Sequence, residues 1–256
     1  MQRRRFPIQV FDSLSSTNDS ILEAGESDAP EGTTYIARSQ SRGRGRAGRA
    51  WWSPPGAGLW MSTLLRPSRS SAHWGGVSLL AGAAVRTSLE RLGVKGVDLY
   101  WPNDLQVGKR KIGGILGEVR SRGEEAWIAL GIGINIDLSA PNVRASMPRE
   151  IEAIATSMTE AGPPRTRIPE EIAMVILEEF WPLYKMFQSG EKLPLLVGST
   201  LAHTGRTVEV RVSGQKSWRG VVEGLHEDGA LLVRTLGRES RLAQVTGGEV
   251  LYEDSP

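Results

Sequence analysis

From about residue 203 the chain changes texture, and that change constrains the fold more than any other feature. Segments 206–212, 217–225, 230–236 and 239–245 are short, evenly spaced and joined by Gly, Asp and Ser turns. This spacing predicts a small β-barrel of about fifty residues. A linker is expected near 190–200.

The preceding residues mix strands with longer periodic segments. Strands are expected at 8–12, 33–37, 59–65 and 97–101. Ser15-Ser16-Thr17-Asn18-Asp19 predicts a helix start with a hydroxyl cap, and Gly25 its stop near Ala24. A long apolar-rich helix spans 74–92 and ends at Gly93. Segments 113–119 and 126–136 flank a charged turn and predict an antiparallel hairpin. A helix near 150–160 is followed by a strongly amphipathic one from Pro169 to about Gln188, with Pro182 kinking it. Residues 38–58 show no periodicity, and loops of that length in compact domains usually carry function or are disordered.

Composition removes several chemistries. There is no cysteine, so disulfides, thiolate metal sites and a cysteine nucleophile are excluded. Three scattered histidines leave little for a His-built metal centre. No apolar run reaches the roughly 18 residues of a membrane span, and the basic start lacks the apolar segment of a secretory signal. A cytoplasmic protein with no membrane partner is expected. Net charge is only +2, yet arginines crowd into 38–49. That local field suits one anionic ligand better than a long polyanion such as DNA.

The crowded stretch contains Gly43-x-Gly45-x-x-Gly48, a literal match to a dinucleotide fingerprint. The fingerprint requires a helix to open at its last glycine. Trp51-Trp52-Ser53-Pro54-Pro55-Gly56 follows instead and cannot start one. What remains is arginine forks alternating with glycines that let backbone N–H groups approach an anion. A ligand-gripping loop is the better reading; a solvated or nucleic-acid-binding RGG-like segment is the plainer one.

Trp101-Pro102-Asn103-Asp104 ends a predicted strand. Its polar side chains can project into a cleft, where Asp can hold Mg²⁺, or they can form an ordinary turn. Lys109-Arg110-Lys111 leads into Gly113 and Gly114, and Gly131 and Gly133 recur on the partner strand. Glycines on paired strands suit a groove floor and suit tight sheet packing almost as well. Asn18-Asp19-Ser20 is read as a chance glycosylation pattern.

Together these segments resemble biotin–protein ligase. The resemblance rests on Ser15-Ser16-Thr17-Asn18, on Gln40 ahead of Gly43-Arg44-Gly45-Arg46-Ala47-Gly48-Arg49, and on Trp51-x-Ser53-Pro54-x-Gly56. Trp101-Pro102-Asn103-Asp104, Lys111-Ile112-Gly113-Gly114-Ile115-Leu116 and Gly131-Ile132-Gly133-Ile134-Asn135 complete it in order.

The resemblance implies an α+β fold, a mixed β-sheet backed by helices with a small C-terminal SH3-like barrel. The expected units are a ligase domain at 1–195 and the barrel at 200–256. It also implies two half-reactions. Biotin and MgATP give biotinyl-5′-AMP and pyrophosphate; a lysine of a biotin carboxyl carrier protein then takes the biotinyl group. Ser16, Thr17, Asn18, Gln40, Gly43, Arg44 and Gly45 are expected around biotin, with Gly114, Ile115, Gly131 and Gly133 along its chain. Arg46, Arg49, Trp51, Asn103, Asp104 and Asn135 are expected at ATP, with Asp104 also on Mg²⁺. Arg46 and Lys111 are expected to serve both ligands and to be catalytic. Lys111 would stand between the biotin carboxylate and the α-phosphate, where a cation about 4 Å away is worth ~4 kcal/mol at an effective dielectric of 20. The Gly/Arg loop would order over the adenylate and exclude water.

Two departures stand out. Tyr100 occupies the place where the family usually has Lys before Trp-Pro-Asn-Asp, with Lys109 or Arg110 as possible substitutes. Gly247-Gly248-Glu249 matches, but the basic residue sometimes found after it does not. The pattern begins within the first ten or so residues, so a ligase without its own DNA-binding domain and repressor role is expected, with a homodimer possible. A lipoate ligase is the alternative enzyme, a nucleic-acid module the alternative class; an octanoyl transferase would need the absent cysteine.

Overall fold

The computed structural model describes residues 7–202, 204–212, 214, 216–237 and 239–252. The basic start at 1–6 and one of the three histidines, His203, lie outside the described residues.

Strands β1 (Ile8–Phe11), β2 (Thr34–Ala37), β3 (Gly58–Leu65), β4 (Val97–Tyr100), β5 (Asp104–Val107), β6 (Arg110–Arg122) and β7 (Glu125–Asn135) form one sheet. Their order is β1-β2-β3-β7-β6-β5-β4, with β1 and β2 parallel and the other neighbours antiparallel. The hairpin predicted from its charged turn begins at Gly113 as expected and runs further toward the turn, because β6 and β7 stay paired out to Arg122 and Glu125. Pro102 ends β4 as predicted, but Asp104 opens β5, a short strand that periodicity alone does not reveal.

Helices cover both faces. α1 (Thr17–Glu26) packs on β3 and β7, and Ile21 and Leu22 meet Leu64, Trp127 and Ala129. α2 (Gly75–Arg91) and α6 (Pro169–Gln188) pack together on the opposite face. There the alternate residues Ile128, Leu130, Ile132 and Ile134 are buried, as one face of a strand must be. After α3 (Pro141–Ser146), two short helices, α4 (Arg149–Ile154) and α5 (Met158–Ala161), stand where one helix was expected. α6 runs through Pro182 without interruption.

α1 runs past Gly25, contrary to expectation, and the reason is packing. A Cβ on Gly25 would overlap Trp127 Cδ1 and Nε1 and stand 2.9 Å from Cγ. Trp127 is fully buried and its indole N–H donates to the Leu22 carbonyl at 3.0 Å. The glycine lets the helix approach the sheet. Gly25→Ala is therefore expected to lower stability by about 1–2 kcal/mol, overpacking outweighing the ~1 kcal/mol gain in helix propensity. Urea denaturation reads this out; an unchanged or raised midpoint would show that Trp127 yields.

The expected linker contains α7 (Leu193–Val197), whose Leu193 and Val197 are fully buried. Leu201 then bridges Leu99 on the sheet's β4 edge. β8 (Thr207–Arg211), β9 (Trp218–Leu225), β10 (Leu231–Thr235), β11 (Leu242–Val245) and β12 (Glu249–Tyr252) make an antiparallel SH3-like unit, order β11-β10-β9-β8-β12. β12 was not anticipated. Its partner is β8, so it closes the unit by a long-range pairing that local pattern does not encode. This unit touches the sheet through the Trp101 indole N–H to the Gly229 carbonyl at 2.9 Å and the edge-on Tyr100–Tyr252 ring pair at 5.2 Å.

Candidate active site

On the α1 face of the sheet, cross-strand neighbours fall into rows. One row is Ser62, Gly131 and Leu116; the next is Trp60, Gly133, Gly114 and Asp104. Three glycines in adjoining rows remove side chains from the middle of a pleated surface and leave a trough. Around it opens a cavity of about 1310 Å³, walled by the N-terminus of α1, the arginine loop, the β4–β5 turn and residues 248–252 of the barrel. Single-ligand pockets typically hold about 300–1,000 Å³, so this one has room for two substrates side by side.

One end of the cavity is a network of neutral polar groups. Ser16 is the extended residue before α1, and its hydroxyl makes no capping bond, contrary to the predicted hydroxyl cap. Gln40 Oε1 accepts from the Thr17 N–H at 2.8 Å and from its hydroxyl at 3.1 Å. Gln40 Nε2 donates to Ser53 Oγ at 2.9 Å. The Ser62 hydroxyl lies 2.7 Å from Thr17 Oγ1 and 2.5 Å from Asn18 Oδ1, one proton for two acceptors. Asn18 Nδ2 donates to Glu118 Oε2 at 2.6 Å and to the Leu116 carbonyl at 3.2 Å. Arg44 closes the chain on Glu118 and Asp19. The guanidinium hydrogen bond holds the Asp19 carboxyl below the usual carboxylate range, against the opposing effect of burial. Sequence reasoning missed Ser62, Glu118 and Asp19 as members of this network; their partners lie far along the chain.

The other end is cationic. Lys111 Nζ sits 2.7 Å from Asp104 Oδ1 and 5.2 Å from the Trp51 ring centroid. The Trp51 indole lies over the glycine floor, for a Cβ on Gly133 would stand 2.7 Å from its Nε1 and one on Gly114 3.0 Å from its Cζ3. Arg46 is half-buried, and desolvation lowers its affinity for a proton. Its Nη1 faces Asn103 Oδ1 at 3.3 Å, while Asn103 Nδ2 donates to the Ile115 carbonyl at 2.8 Å. Arg49 reaches Glu249 of the barrel at 3.4 Å. That pair brings the Gly247-Gly248-Glu249 motif to the cavity wall.

The arginine loop is folded. Gly45 N–H bonds the Arg49 carbonyl at 2.7 Å, and Trp51 N–H bonds the Gly43 carbonyl at 2.9 Å. The segment Arg46–Gly48 turns tightly, with Ala47 at φ 55° and Gly48 at φ 73°, both in the left-handed region.

Of the residues predicted for the site, Ser16, Thr17, Asn18, Gln40, Arg44, Gly45, Arg46, Arg49, Trp51, Asn103, Asp104, Lys111, Gly114, Ile115, Gly131 and Gly133 line this one cavity. Two do not. Gly43 is placed by the backbone: a Cβ there would overlap the Trp51 carbonyl and stand 2.7 Å from Ser53 Oγ. Asn135 is spent on structure, donating to the Thr156 carbonyl at 2.9 Å and the Lys111 carbonyl at 3.3 Å. It thereby fixes the backbone of Lys111. Of the two residues offered as substitutes for the missing lysine at Tyr100, Lys109 lines the cavity and Arg110 does not.

Among the described residues no three His, Asp or Glu side chains converge as a metal cage, and no helix is long and apolar enough to cross a membrane.

Residues 10–135 match the profile of the Biotin/lipoate A/B protein ligase family, and residues 203–251 match that of the Biotin protein ligase C terminal domain. The bifunctional ligase/repressor BirA of Bacillus subtilis is 33% identical over 227 residues, 88% of this chain and 68% of that protein. The biotin–[acetyl-CoA-carboxylase] ligase of Mycobacterium tuberculosis is 30% identical, covering 96% of this chain and 88% of that one. Among solved structures, the biotin protein ligase of Aquifex aeolicus in complex with biotin and ATP superposes with a TM-score of 0.78 at 28% identity, over 97% of this chain and 99% of that one.

Proposed function

Because this chain belongs to the biotin protein ligase family, we infer that its single cleft carries out both half-reactions of protein biotinylation. In the first, a biotin carboxylate oxygen attacks the α-phosphorus of MgATP. A P–O bond forms, the bond to the bridging oxygen breaks, and pyrophosphate leaves. In the second, the ε-amine of an acceptor lysine attacks the acyl carbon of biotinyl-5′-AMP, and AMP leaves as the amide forms. The acceptor proposed is a biotin carboxyl carrier domain of the acetyl-CoA carboxylase type.

The observation that carries this reading is the polarity of the cleft. A neutral amide-and-hydroxyl end and a cationic end are joined by a glycine floor. Biotin has the matching polarity, an uncharged ureido ring and a carboxylate joined by an apolar chain. In this reading Thr17, Asn18 and Gln40 serve the ring, and Gly131, Gly133, Gly114 and Ile115 border the chain. Lys111 and Arg46 meet the carboxylate and the α-phosphate. Two anions must approach each other there, and fixed cations in a partly desolvated site oppose their repulsion without reorganising. Trp51, Asn103 and Arg49 lie on the nucleotide side.

Magnesium belongs to the nucleotide substrate. Asp104 offers one carboxylate, one oxygen of which already faces Lys111. Such a donor set fits an ion that arrives on phosphates and takes a single protein oxygen. The domain assignment proposed, 1–195 for ligation and 200–256 for the barrel, leaves Glu249 and Tyr252 contributing to the wall of the shared cleft.

ATP–pyrophosphate exchange is expected to depend on biotin and to be negligible with lipoate. Exchange driven by lipoate and not by biotin would overturn the assignment.

A further inference from the structure

Arg44 was expected to grip the ligand, yet its side chain is already committed. Nη1 and Nη2 each donate to Asp19 at 2.7 Å, Nη2 also to Glu118 at 2.9 Å, and Nε to Glu118 at 3.3 Å. Four of the five donors of a guanidinium are thereby used. The geometry is a planar fork held between two carboxylates on two different elements, the first turn of α1 and the middle of β6.

We propose that Asp19 and Glu118 are positioning residues for biotin: they clamp Arg44 and fix the entry of the arginine loop beside Thr17, Asn18 and Gln40. Lys111 lies on the same strand as Glu118, seven residues away, a span of about 23 Å at the usual strand rise. The Lys111 ammonium draws the anionic tail of a ligand whose neutral head sits beside Thr17, Asn18 and Gln40. Glu118 has a second task, since it accepts from Asn18 Nδ2 at 2.6 Å and so fixes which way that amide faces the cavity. The moving part of the loop is then the stretch beyond Arg44, and charge neutralisation of the reacting groups falls to Arg46 and Lys111.

This inference rests on the biotin ligase reading for its ligand but not for its clamp, and the experiment separates the two. Asp19→Asn with Glu118→Gln is compared with the parent in biotin-dependent exchange and in limited trypsin digestion without ligand. Loss of charge-assisted hydrogen bonds in a half-buried cluster is expected to raise the biotin KM about ten-fold, with ATP KM and kcat within about two-fold. Cutting at Arg42–Arg49 is expected to accelerate in parallel. Arg44→Lys keeps the charge and loses the fork, so it is expected to behave as the double variant does. Asp19→Glu is expected to restore part of the affinity. Unchanged biotin KM together with unchanged cutting would overturn the clamp. An equal rise in biotin and ATP KM would overturn the positioning role. Should even the parent fail to use biotin, the assigned function falls while the digestion still decides whether the clamp exists.

Discussion

Lys111→Ala is expected to slow biotin-dependent ATP–pyrophosphate exchange about 10²–10³-fold, the usual cost of removing one preorganised electrostatic donor. The position of the side chain gives the reason. It leaves β6 toward the cleft, lies against the Trp51 ring and is held by Asp104 at 2.7 Å. Its backbone is fixed from behind by Asn135 and by the Thr156 N–H to the Lys111 carbonyl at 2.9 Å. The ammonium therefore needs little rearrangement when two anions meet beside it. The loss should appear mainly in kcat, because the charge contact strengthens as the carboxylate closes on phosphorus. Lys111→Arg retains the charge and is expected to recover part of the rate. Exchange equal to the parent in the alanine variant would show that another cation of the cleft, such as Arg46, carries this role.

Much of this was readable from the chain because glycine, proline and arginine act locally. The glycine pairs on β6 and β7, the turn at Pro102 and the arginine loop each announced themselves by residue type, and the barrel by its evenly spaced turns. The structure brings nearly all of them to one cavity. The missing parts are relational. Glu118 reads as one more charge on an amphipathic strand; its worth comes from Asn18, a hundred positions away in sequence. Asp19 reads as an acidic first-turn residue suited to a helix N-terminus, an accurate but incomplete description. Ser62 is a small polar residue inside an apolar strand, and only the register opposite Gly131 shows why it is there. Gly25 marks a close approach to Trp127, though in the sequence it looks like a helix stop. β12 and α7 depend on long-range burial rather than on pattern. Asn135 shows the same from the other side, a motif position whose side-chain amide bonds the Lys111 and Thr156 carbonyls.

Gly131→Val is the second large effect, an expected rise of about 10- to 100-fold in biotin KM. Valine suits a strand, so the backbone of β7 has no quarrel with it. The obstacle is lateral. A Cβ at this position would overlap Asn18 Oδ1 and stand 3.1 Å from its Cγ and 3.2 Å from its Nδ2. Asn18 is almost fully buried and held by Ser62, Leu116 and Glu118, so it cannot step aside without breaking those bonds. Breaking the bond to a charged carboxylate costs about 1.5–3 kcal/mol, which converts to the expected range. The β6–β7 pairing and the cationic end are untouched, so ATP KM should hold within about two-fold. A double-mutant cycle with Asn18→Ala distinguishes collision from simple crowding of the floor. If the valine acts by displacing Asn18, the two changes share one loss and the double variant is little worse than either single. Fully additive losses would mean that Gly131 and Asn18 serve biotin independently, and the hydrogen-bonded rail beneath the cleft would lose its place in the mechanism.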